Sequence, residues 1–362
     1  MMRELKIVES IGSTVCEIPA IFGKYEYIKT LGKGSFAVVT LVKYIPDESL
    51  HACKVVSRDL LNKMNIFQRF EQEVRFMQNL HHPNIVQIED VVYDKDYIYI
   101  VMEYCAKGDL FKQIVFYGPY PDENLRKTFR QIVEGLSYIH AHNIAHRDIK
   151  PENILLDEND VPKIADFGLC HATSPQKLLL TPCGSPFYAP PEIINNYKYD
   201  GKLSDTWSLG VVLYTMATGT LPWTENNQTK LFIQIENADF VIPSCLSPPV
   251  QSLIGEMLSI VPTNRPSMEQ ILENPWLSSD DDLEFLKPTS LSRKNRNVIA
   301  ASMNDANMYR SVKRPIIIRP DHSKKNTSSM KITKLEPMDY LIRKVPPKIR
   351  KGPPLFKKAA VF

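Results

Sequence analysis

The stretch HRDIKPEN at 146–153, followed by DFG at 166–168, decides how this sequence is interpreted. It combines two carboxylates, Asp148 and Asp166, with the amide of Asn153. Carboxylate and amide oxygens are ligands that magnesium prefers, and a carboxylate can also accept or orient a hydroxyl proton. HRD or DFG alone arises by chance, but their order and spacing together indicate transfer of a phosphoryl group from a nucleotide.

The pattern assigns a role to each of these side chains. Asp148 would accept or orient the proton of the substrate hydroxyl, and Lys150 would contact the phosphate as its charge redistributes. Asn153 and Asp166 would hold the magnesium ions. The predicted catalytic residues are therefore Asp148, Lys150 and Asn153, the predicted metal ligands are Asn153 and Asp166, and the predicted cofactors are ATP and Mg²⁺.

Upstream, LGKGSFAVV at 31–39 places two glycines between apolar, strand-like runs. This is either an ordinary hairpin or a loop whose amides approach the phosphates. HACKVV at 51–56 favours the second interpretation, because strand alternation puts Ala52 and Lys54 on one face and Cys53 on the other. Ala52 is small enough to admit an adenine ring, and Lys54 could contact the α- and β-phosphates. A solvated strand lysine is the alternative.

Helical periodicity predicts the elements around these motifs. FEQEVRFMQNLHHPNIV at 70–86 carries an i, i+4, i+7 apolar stripe and predicts a helix. Glu73 lies beside the stripe and is either an exposed residue or the partner of the Lys54 ammonium. A long amphipathic helix is predicted over 122–141, and the nearly all-apolar segment 204–219 predicts a buried one.

Taken together, these motifs resemble the catalytic domain of eukaryotic protein kinases. The HRDIKPEN loop with its Lys150 resembles the serine/threonine branch. LLLTPCGSPFYAPPE at 178–192 resembles the calcium/calmodulin-dependent kinase group, particularly the branch related to AMP-activated kinase. The implied activity is ATP-dependent phosphorylation of serine and threonine hydroxyls on protein substrates by direct in-line transfer.

The resemblance also implies an α+β architecture with the bilobal protein kinase fold. The catalytic domain would span 25–277, with a small β-rich N-lobe over about 25–104 that carries one regulatory helix. A larger, mainly helical C-lobe would occupy about 105–277. Residues 1–24 would form an N-terminal extension, and 278–362 a basic, largely disordered C-terminal tail.

Further site residues follow from the resemblance. Thr181 falls on the activating phosphosite, which implies an upstream activating kinase, and Arg147 would pair with its phosphate. Backbone groups of Glu103 and Cys105 would bind adenine, and Asp109 would lie near the ribose. The residues expected to bind ATP are Leu31, Gly32, Lys33, Gly34, Ser35, Phe36, Ala37, Val38, Val39, Ala52, Lys54, Glu73, Glu103, Cys105, Asp109 and Leu155.

Other residues have structural roles in the family. The resemblance makes Asp205 the anchor of the catalytic-loop backbone and pairs Arg265 with Glu192 inside the large lobe. Three positions depart from the usual pattern, and one of them, Pro190, replaces the usual alanine and restricts an already rigid segment. Ala37 replaces the third glycine and predicts a slightly stiffer loop, because alanine has less access to positive φ. Pro182 follows the candidate phosphosite, and is either a turn residue or the mark of a proline-directed upstream kinase.

Composition predicts where the protein acts. With 43% hydrophobic residues in 362, the chain can bury a substantial core. No apolar run approaches the roughly 18–20 residues that span a bilayer, and the N-terminus lacks the apolar core of a secretory signal. The six cysteines show neither a metal-site nor a disulfide pattern. The expected location is the cytoplasm, with the nucleus as the alternative.

The tail is electrostatically distinct, because 278–362 carries a net charge of +11 and 1–277 carries −8. It is either solvated and disordered, or it docks on the catalytic domain, on anionic lipid or on calmodulin. Four prolines between 346 and 354 argue against a calmodulin-binding helix.

Two alternatives to an ordinary active kinase remain. A catalytically weak nucleotide-binding scaffold is disfavoured, because all the expected catalytic side chains are present. Accessory binding of anions or nucleic acid by the tail is disfavoured by the absence of an aromatic platform.

Overall fold

A computed structural model gives the structure of the chain. It describes residues 6–11, 14–33, 37–63, 65, 67–166, 171–172, 185–225 and 227–277. Several predictions lie outside the described residues, and these concern the side chain of Glu73, Gly34, Ser35, Phe36, Phe167, Gly168, Thr181, Pro182 and the tail 278–362. Among the helices it describes, none has the length and apolar character needed to cross a membrane.

The small lobe is built on antiparallel strands. They are β1 (Lys6–Ile11), β2 (Thr14–Pro19), β3 (Ile21–Phe22), β4 (Tyr25–Lys33), β5 (Ala37–Tyr44), β6 (Leu50–Ser57), β7 (Ile88–Tyr93) and β8 (Tyr97–Glu103). Strands β3 to β8 form a six-stranded sheet in the order β3-β4-β5-β6-β8-β7, and β1 and β2 form a separate hairpin before it. One face of the sheet buries Val38, Val42 and Cys53 together with Ile18 from β2.

Two helices cover the other face of this sheet, α1 (Arg58–Lys63) and α2 (Phe67–Met77). The apolar stripe predicted for α2 is confirmed in part, since Val74 is buried and Phe70 and Met77 pack against the same cluster. The prediction of a helix up to residue 86 is wrong. The helix ends at Met77, and Pro83 rules out a continuation to residue 86, because proline breaks a helix and disfavours helical backbone at the residue before it. Helix α1 had no counterpart in the sequence prediction.

The large lobe is mainly helical. Its elements are β9 (Gly108–Asp109), α3 (Leu110–Tyr117), α4 (Asp122–Ala141), β10 (Ile144–Ala145), β11 (Ile154–Leu156), β12 (Pro162–Ile164), β13 (His171–Ala172), α5 (Pro191–Ile194), α6 (Gly201–Thr218), α7 (Gln228–Glu236), α8 (Pro248–Met257) and α9 (Met268–Leu272). Strands β9, β11 and β12 form a small sheet, and β10 pairs with β13. The catalytic motif 146–153 lies between β10 and β11.

Helix α4 confirms the predicted element, including its bounds. Its apolar stripe is almost fully buried, and its members are Leu125, Phe129, Ile132, Leu136 and Ile139. Gly135 lets α4 approach the backbone at Asn84 closely, because a Cβ at this position would lie 2.8 Å from the backbone oxygen of Asn84. A larger residue would therefore push α4 away from this segment.

Helix α6 is buried on all sides over most of its length, as its sequence predicts. It begins at Gly201, three residues earlier than predicted, because the Asp200 side chain accepts from the Lys202 N–H and caps it. It ends at Thr218, where Gly219 takes left-handed backbone with φ 74°. This placement carries Asp205 into the centre of the large lobe, beneath the catalytic motif.

Candidate active site

The loop at 146–153 is held from below by Asp205. This fully buried carboxylate accepts from the backbone N–H groups of His146 and Arg147, at 2.8 and 2.7 Å. It also contacts Nε2 of His140 at 2.9 Å, and a carboxylate can only accept, so this nitrogen carries the proton. These contacts confirm the predicted anchoring role of Asp205. Arg147 adopts left-handed backbone, with φ 68°.

The three predicted catalytic side chains form one cluster. Asn153 donates from Nδ2 to the Asp148 side chain at 2.9 Å and to the Asp148 backbone oxygen at 2.8 Å. Lys150 Nζ lies 2.9 Å from the same carboxylate oxygen, Oδ2 of Asp148. It also donates to Ser185 Oγ at 3.2 Å, so a hydroxyl lies within reach of the cluster. The orientation of Asp148 is therefore fixed by two donors.

His146 joins the loop to the segment that carries Asp166. Its Nδ1 accepts from the Asp148 N–H at 3.3 Å, and its Nε2 lies 3.0 Å from the backbone oxygen of Ala165. A carbonyl only accepts, so Nε2 bears the proton and the tautomer is set by its neighbours. The HRD histidine thereby couples the positions of the two aspartates, a role that sequence reasoning missed.

Asp166 and Lys54 form an ion pair across the site, with Nζ and Oδ1 2.6 Å apart. The Lys54 ammonium lowers the pKa of Asp166 to about 2, so the carboxylate is ionised at neutral pH. Asp166 also has left-handed backbone, with φ 59°. The predicted pairing of Lys54 with Glu73 remains a prediction, since only the backbone of Glu73 in α2 is described.

An apolar patch lies where adenine is predicted to bind. Val86, Cys105 and Ala165 are buried together, and Met102 and Leu155 pack against them. Ala52 pairs with Met102 across β6 and β8. Burial raises the pKa of the Cys105 thiol to about 12, so this cysteine stays protonated and acts as an apolar wall. The structure thus brings Ala52, Cys105 and Leu155 into one region.

Glu103 at the end of β8 and Asp109 at the end of β9 have structural partners. The Glu103 carboxylate accepts from the Gln87 N–H and from Lys163 Nζ, each at 2.8 Å. The Asp109 side chain accepts from the Lys112 N–H at 2.8 Å and caps α3. The Asp109 backbone lies opposite Leu155 in the pairing of β9 with β11. The contacts from Gln87 and Lys163 were missed by the sequence analysis, because no motif marks them.

Strands β4 and β5 flank the glycine-rich turn. Leu31, Gly32 and Lys33 end β4, and Ala37, Val38 and Val39 begin β5. Ala37 pairs with Val56 inside the sheet and has no positive φ. Strand backbone at this position does not need glycine, so alanine fits it without strain, and the slightly stiffer loop stays a prediction.

Arg147, expected to contact a phosphate on Thr181, is buried. Its guanidinium donates to the Tyr199 hydroxyl from Nε at 3.1 Å and from Nη2 at 2.8 Å.

The predicted pair of Arg265 and Glu192 is confirmed, with a bidentate contact of 2.6 and 2.8 Å. This pair ties α5 to the end of the domain.

The fold and the site define a protein kinase. The chain belongs to the protein kinase domain family, whose model matches residues 25–277. This confirms the bilobal fold expected from the sequence.

The chain is similar to protein kinases from three organisms. The carbon catabolite-derepressing protein kinase of Candida tropicalis is 40% identical over 271 residues, which is 75% of this chain and 44% of that protein. Its counterpart in Saccharomyces cerevisiae is 40% identical over 272 residues, 75% of this chain and 43% of the relative. The probable serine/threonine-protein kinase MARK-A of Dictyostelium discoideum is 40% identical over 277 residues, which is 76% of this chain and 26% of that protein.

These likenesses confirm the predicted resemblance to serine/threonine protein kinases of the branch related to AMP-activated kinase. The matched region spans less than half the length of each of these relatives.

Proposed function

We propose that the protein transfers the γ-phosphoryl group of ATP to serine and threonine hydroxyls of protein substrates. The observation that carries this proposal is the convergence of Lys150 and Asn153 on one oxygen of the Asp148 carboxylate. This fixes a general base beside a cation, which is the arrangement that in-line phosphoryl transfer uses. Lys150 in the loop and the similarity to a probable serine/threonine-protein kinase support serine/threonine specificity.

The residues fit magnesium. The Asp166 side chain is 51% exposed and ionised, which makes it a suitable oxygen ligand. Asn153 uses its Nδ2 for both contacts with Asp148, so its Oδ1 points the other way and is the atom that can coordinate. Bound magnesium would neutralise charge on the phosphate oxygens. Asn153 and Asp166 are therefore the proposed metal ligands.

The protein side chains divide the remaining work. Asp148, oriented through Oδ2, would accept the proton of the substrate hydroxyl at Oδ1. Lys150 lies between this carboxylate and Ser185 and would stabilise negative charge on the transferred group. Lys54, placed by β6, would bind the α- and β-phosphates, and the apolar patch around Cys105 and Leu155 would receive adenine. No covalent intermediate with the protein is required.

Activation by phosphorylation of Thr181 is part of the proposal. Thr181 lies outside the described residues, and the support comes from its position in a segment that resembles the activation segment of the family. Arg147 is adjacent to Asp148 and would couple a phosphate at Thr181 to the loop. The proposal therefore includes an upstream kinase as a partner.

The test is transfer of labelled phosphate from Mg-ATP to serine and threonine peptides. Asp148→Asn should lower kcat by about 10²- to 10⁴-fold, the usual contribution of a general base. Asp166→Ala should abolish transfer while the protein stays folded. A matched control is Asp160→Asn, because Asp160 pairs with Lys107 in an exposed surface turn and its asparagine variant keeps the left-handed backbone readily.

Nucleotide binding, measured separately by fluorescence of a labelled ATP analogue, distinguishes the alternatives. Wild-type protein phosphorylated at Thr181 that binds nucleotide and transfers nothing would replace the proposal with the nucleotide-binding scaffold. Equal activity of wild type and Asp148→Asn would refute the role of Asp148.

A further inference from the structure

The hairpin of β1 and β2 precedes the region matched by the kinase family and contacts the strand that enters the glycine-rich turn. It is fixed to the small lobe by Ile18 of β2, which is 1% exposed and lies in a cluster with Val38 and Val42 of β5. The hairpin therefore covers the face of the sheet formed by β4 and β5. Since these strands flank the glycine-rich turn, the hairpin is placed to control their position.

One carboxylate of the hairpin is buried against β4. Glu9 is only 6% exposed, and its Oε2 lies 2.8 Å from Lys33 Nζ. Its Oε1 accepts from the Thr30 hydroxyl and, at 3.5 Å, from the Tyr27 hydroxyl. A buried charge requires partners of this kind, and here each partner belongs to the same strand.

The spacing of these partners is unusual for a strand. Residues 27, 30 and 33 are three apart, whereas side chains on one face of a regular strand are two apart. Two irregularities in the β4–β5 register, after Tyr27 and after Thr30, compensate for the extra residue in each interval. As a result Tyr27 pairs with Val42, Thr30 with Thr40 and Lys33 with Val38. These residues of β5 alternate regularly, so all three donors of β4 share their face. Each register shift thereby turns a further donor toward Glu9.

The electrostatics favour an ionised Glu9. Burial raises the pKa of its carboxyl, but hydrogen bonds from Lys33 and Thr30 and the charge of Lys33 bring it below its ordinary value. At neutral pH the carboxylate is therefore charged and holds the Lys33 ammonium. Lys33 lies between Gly32 and Gly34, so this contact fixes β4 at the last described residue before the turn.

We infer that Glu9 is a positioning residue for nucleotide binding, and that the N-terminal hairpin holds the glycine-rich strand β4 in register over the ATP site through it. The inference rests on the proposed function, since ATP is taken as the nucleotide. Glu9 does not touch the reacting atoms. It acts through Lys33 and Thr30 on the backbone that runs beside the phosphates.

Glu9→Gln tests this in the full-length protein. Loss of one hydrogen bond to a charged group should raise KM for ATP, and Kd for a fluorescent ATP analogue, by about tenfold. The kcat at saturating ATP should stay within about twofold, because Asp148 and its partners are unchanged. Glu26→Gln is the matched control. It lies at the other end of β4, pairs with Lys43 at 3.1 Å on the surface, and should leave KM unchanged.

A double-mutant cycle with Lys33→Gln separates positioning from general destabilisation. If Glu9 acts through Lys33, the double variant should raise KM no further than the larger single effect. Wild-type KM and Kd in Glu9→Gln would overturn the inference. So would a loss of kcat together with a lower Tm and unchanged Kd, which would make Glu9 merely structural. Failure of the proposed function looks different, because wild type itself would then transfer no phosphate while analogue binding could still be compared between variants.

Discussion

Substitution of Asp205 tests the link between the buried helix α6 and the catalytic loop. The carboxylate has three donors, namely the N–H groups of His146 and Arg147 and Nε2 of His140. Asp205→Ala removes their shared acceptor, and each buried donor left unpaired costs about 1–3 kcal/mol, so stability should fall by at least about 3 kcal/mol. In Asp205→Asn the amide oxygen can take the place of Oδ2 and keep the bonds from the His146 N–H and His140 Nε2. Only the Arg147 N–H then loses its acceptor, so stability should fall by about 1–3 kcal/mol.

The same substitutions should release the loop. The N–H of Arg147, bonded to Oδ1 at 2.7 Å, holds a residue with φ 68°. Without that bond the backbone can return toward a more favourable conformation, and Asp148 follows directly. A displacement of about 1 Å in an active site can lower turnover about 100-fold. We expect kcat for peptide phosphorylation to fall by about this factor in both variants.

Scanning calorimetry and labelled phosphate transfer at saturating Mg-ATP measure the two effects. In a domain of this size 1 kcal/mol shifts Tm by about 2–4 °C, so Asp205→Asn should unfold roughly 5 °C lower and Asp205→Ala roughly 10 °C lower. Asp200→Asn is the control, since asparagine caps a helix about as well as aspartate and Asp200 caps this same helix. Unchanged Tm and kcat in Asp205→Asn would refute the reasoning, and a lower Tm with full kcat would show that α6 does not position the loop.

Two further predictions concern stability. Gly255→Ala should stabilise helix α8 by about 1 kcal/mol, because a Cβ there meets nothing within 4 Å. Gly135→Ala should lower Tm despite the same gain in helix propensity, because its Cβ would lie 2.8 Å from the backbone oxygen of Asn84. Equal Tm shifts of the two variants in thermal melts would contradict this. Glu192→Gln should lower stability by about 3–5 kcal/mol, because it leaves the buried Arg265 guanidinium without its carboxylate. Calorimetry would contradict the second prediction if Tm changed by less than about 2 °C, equivalent to under 1 kcal/mol.

The catalytic cluster was predictable because chemistry restricts the residue types at each position. Asp148, Lys150 and Asn153 stand close together in the sequence, and the structure brings their side chains within hydrogen-bonding distance. The helix at 122–141 was predictable for a different reason, since a long amphipathic stripe has one way to be buried. In both cases local sequence carries the information.

The missed features depend on contacts between distant segments. Helix α2 ends at Met77, and beyond it Ile85 is buried and forms an isolated parallel bridge with Ile164. The helical pattern over 70–86 does not indicate this bridge. The sequence does not indicate that the three donors facing Glu9 share one face of β4, because the register shifts break the period of two. Pairing across such irregularities is set by the neighbouring strand, which periodicity does not encode.

The left-handed backbone at Arg147 and Asp166 bears on how this enzyme could be engineered. Non-glycine residues in that region cost about 1–3 kcal/mol, less for aspartate than for arginine, and the fold retains both, one next to Asp148 and the other bonded to Lys54. Glycine at Asp166 would remove the backbone cost, but it would also remove the ion pair with Lys54 and would gain little stability. Because the same exchange removes a proposed metal ligand, turnover would be lost without a compensating gain in heat resistance.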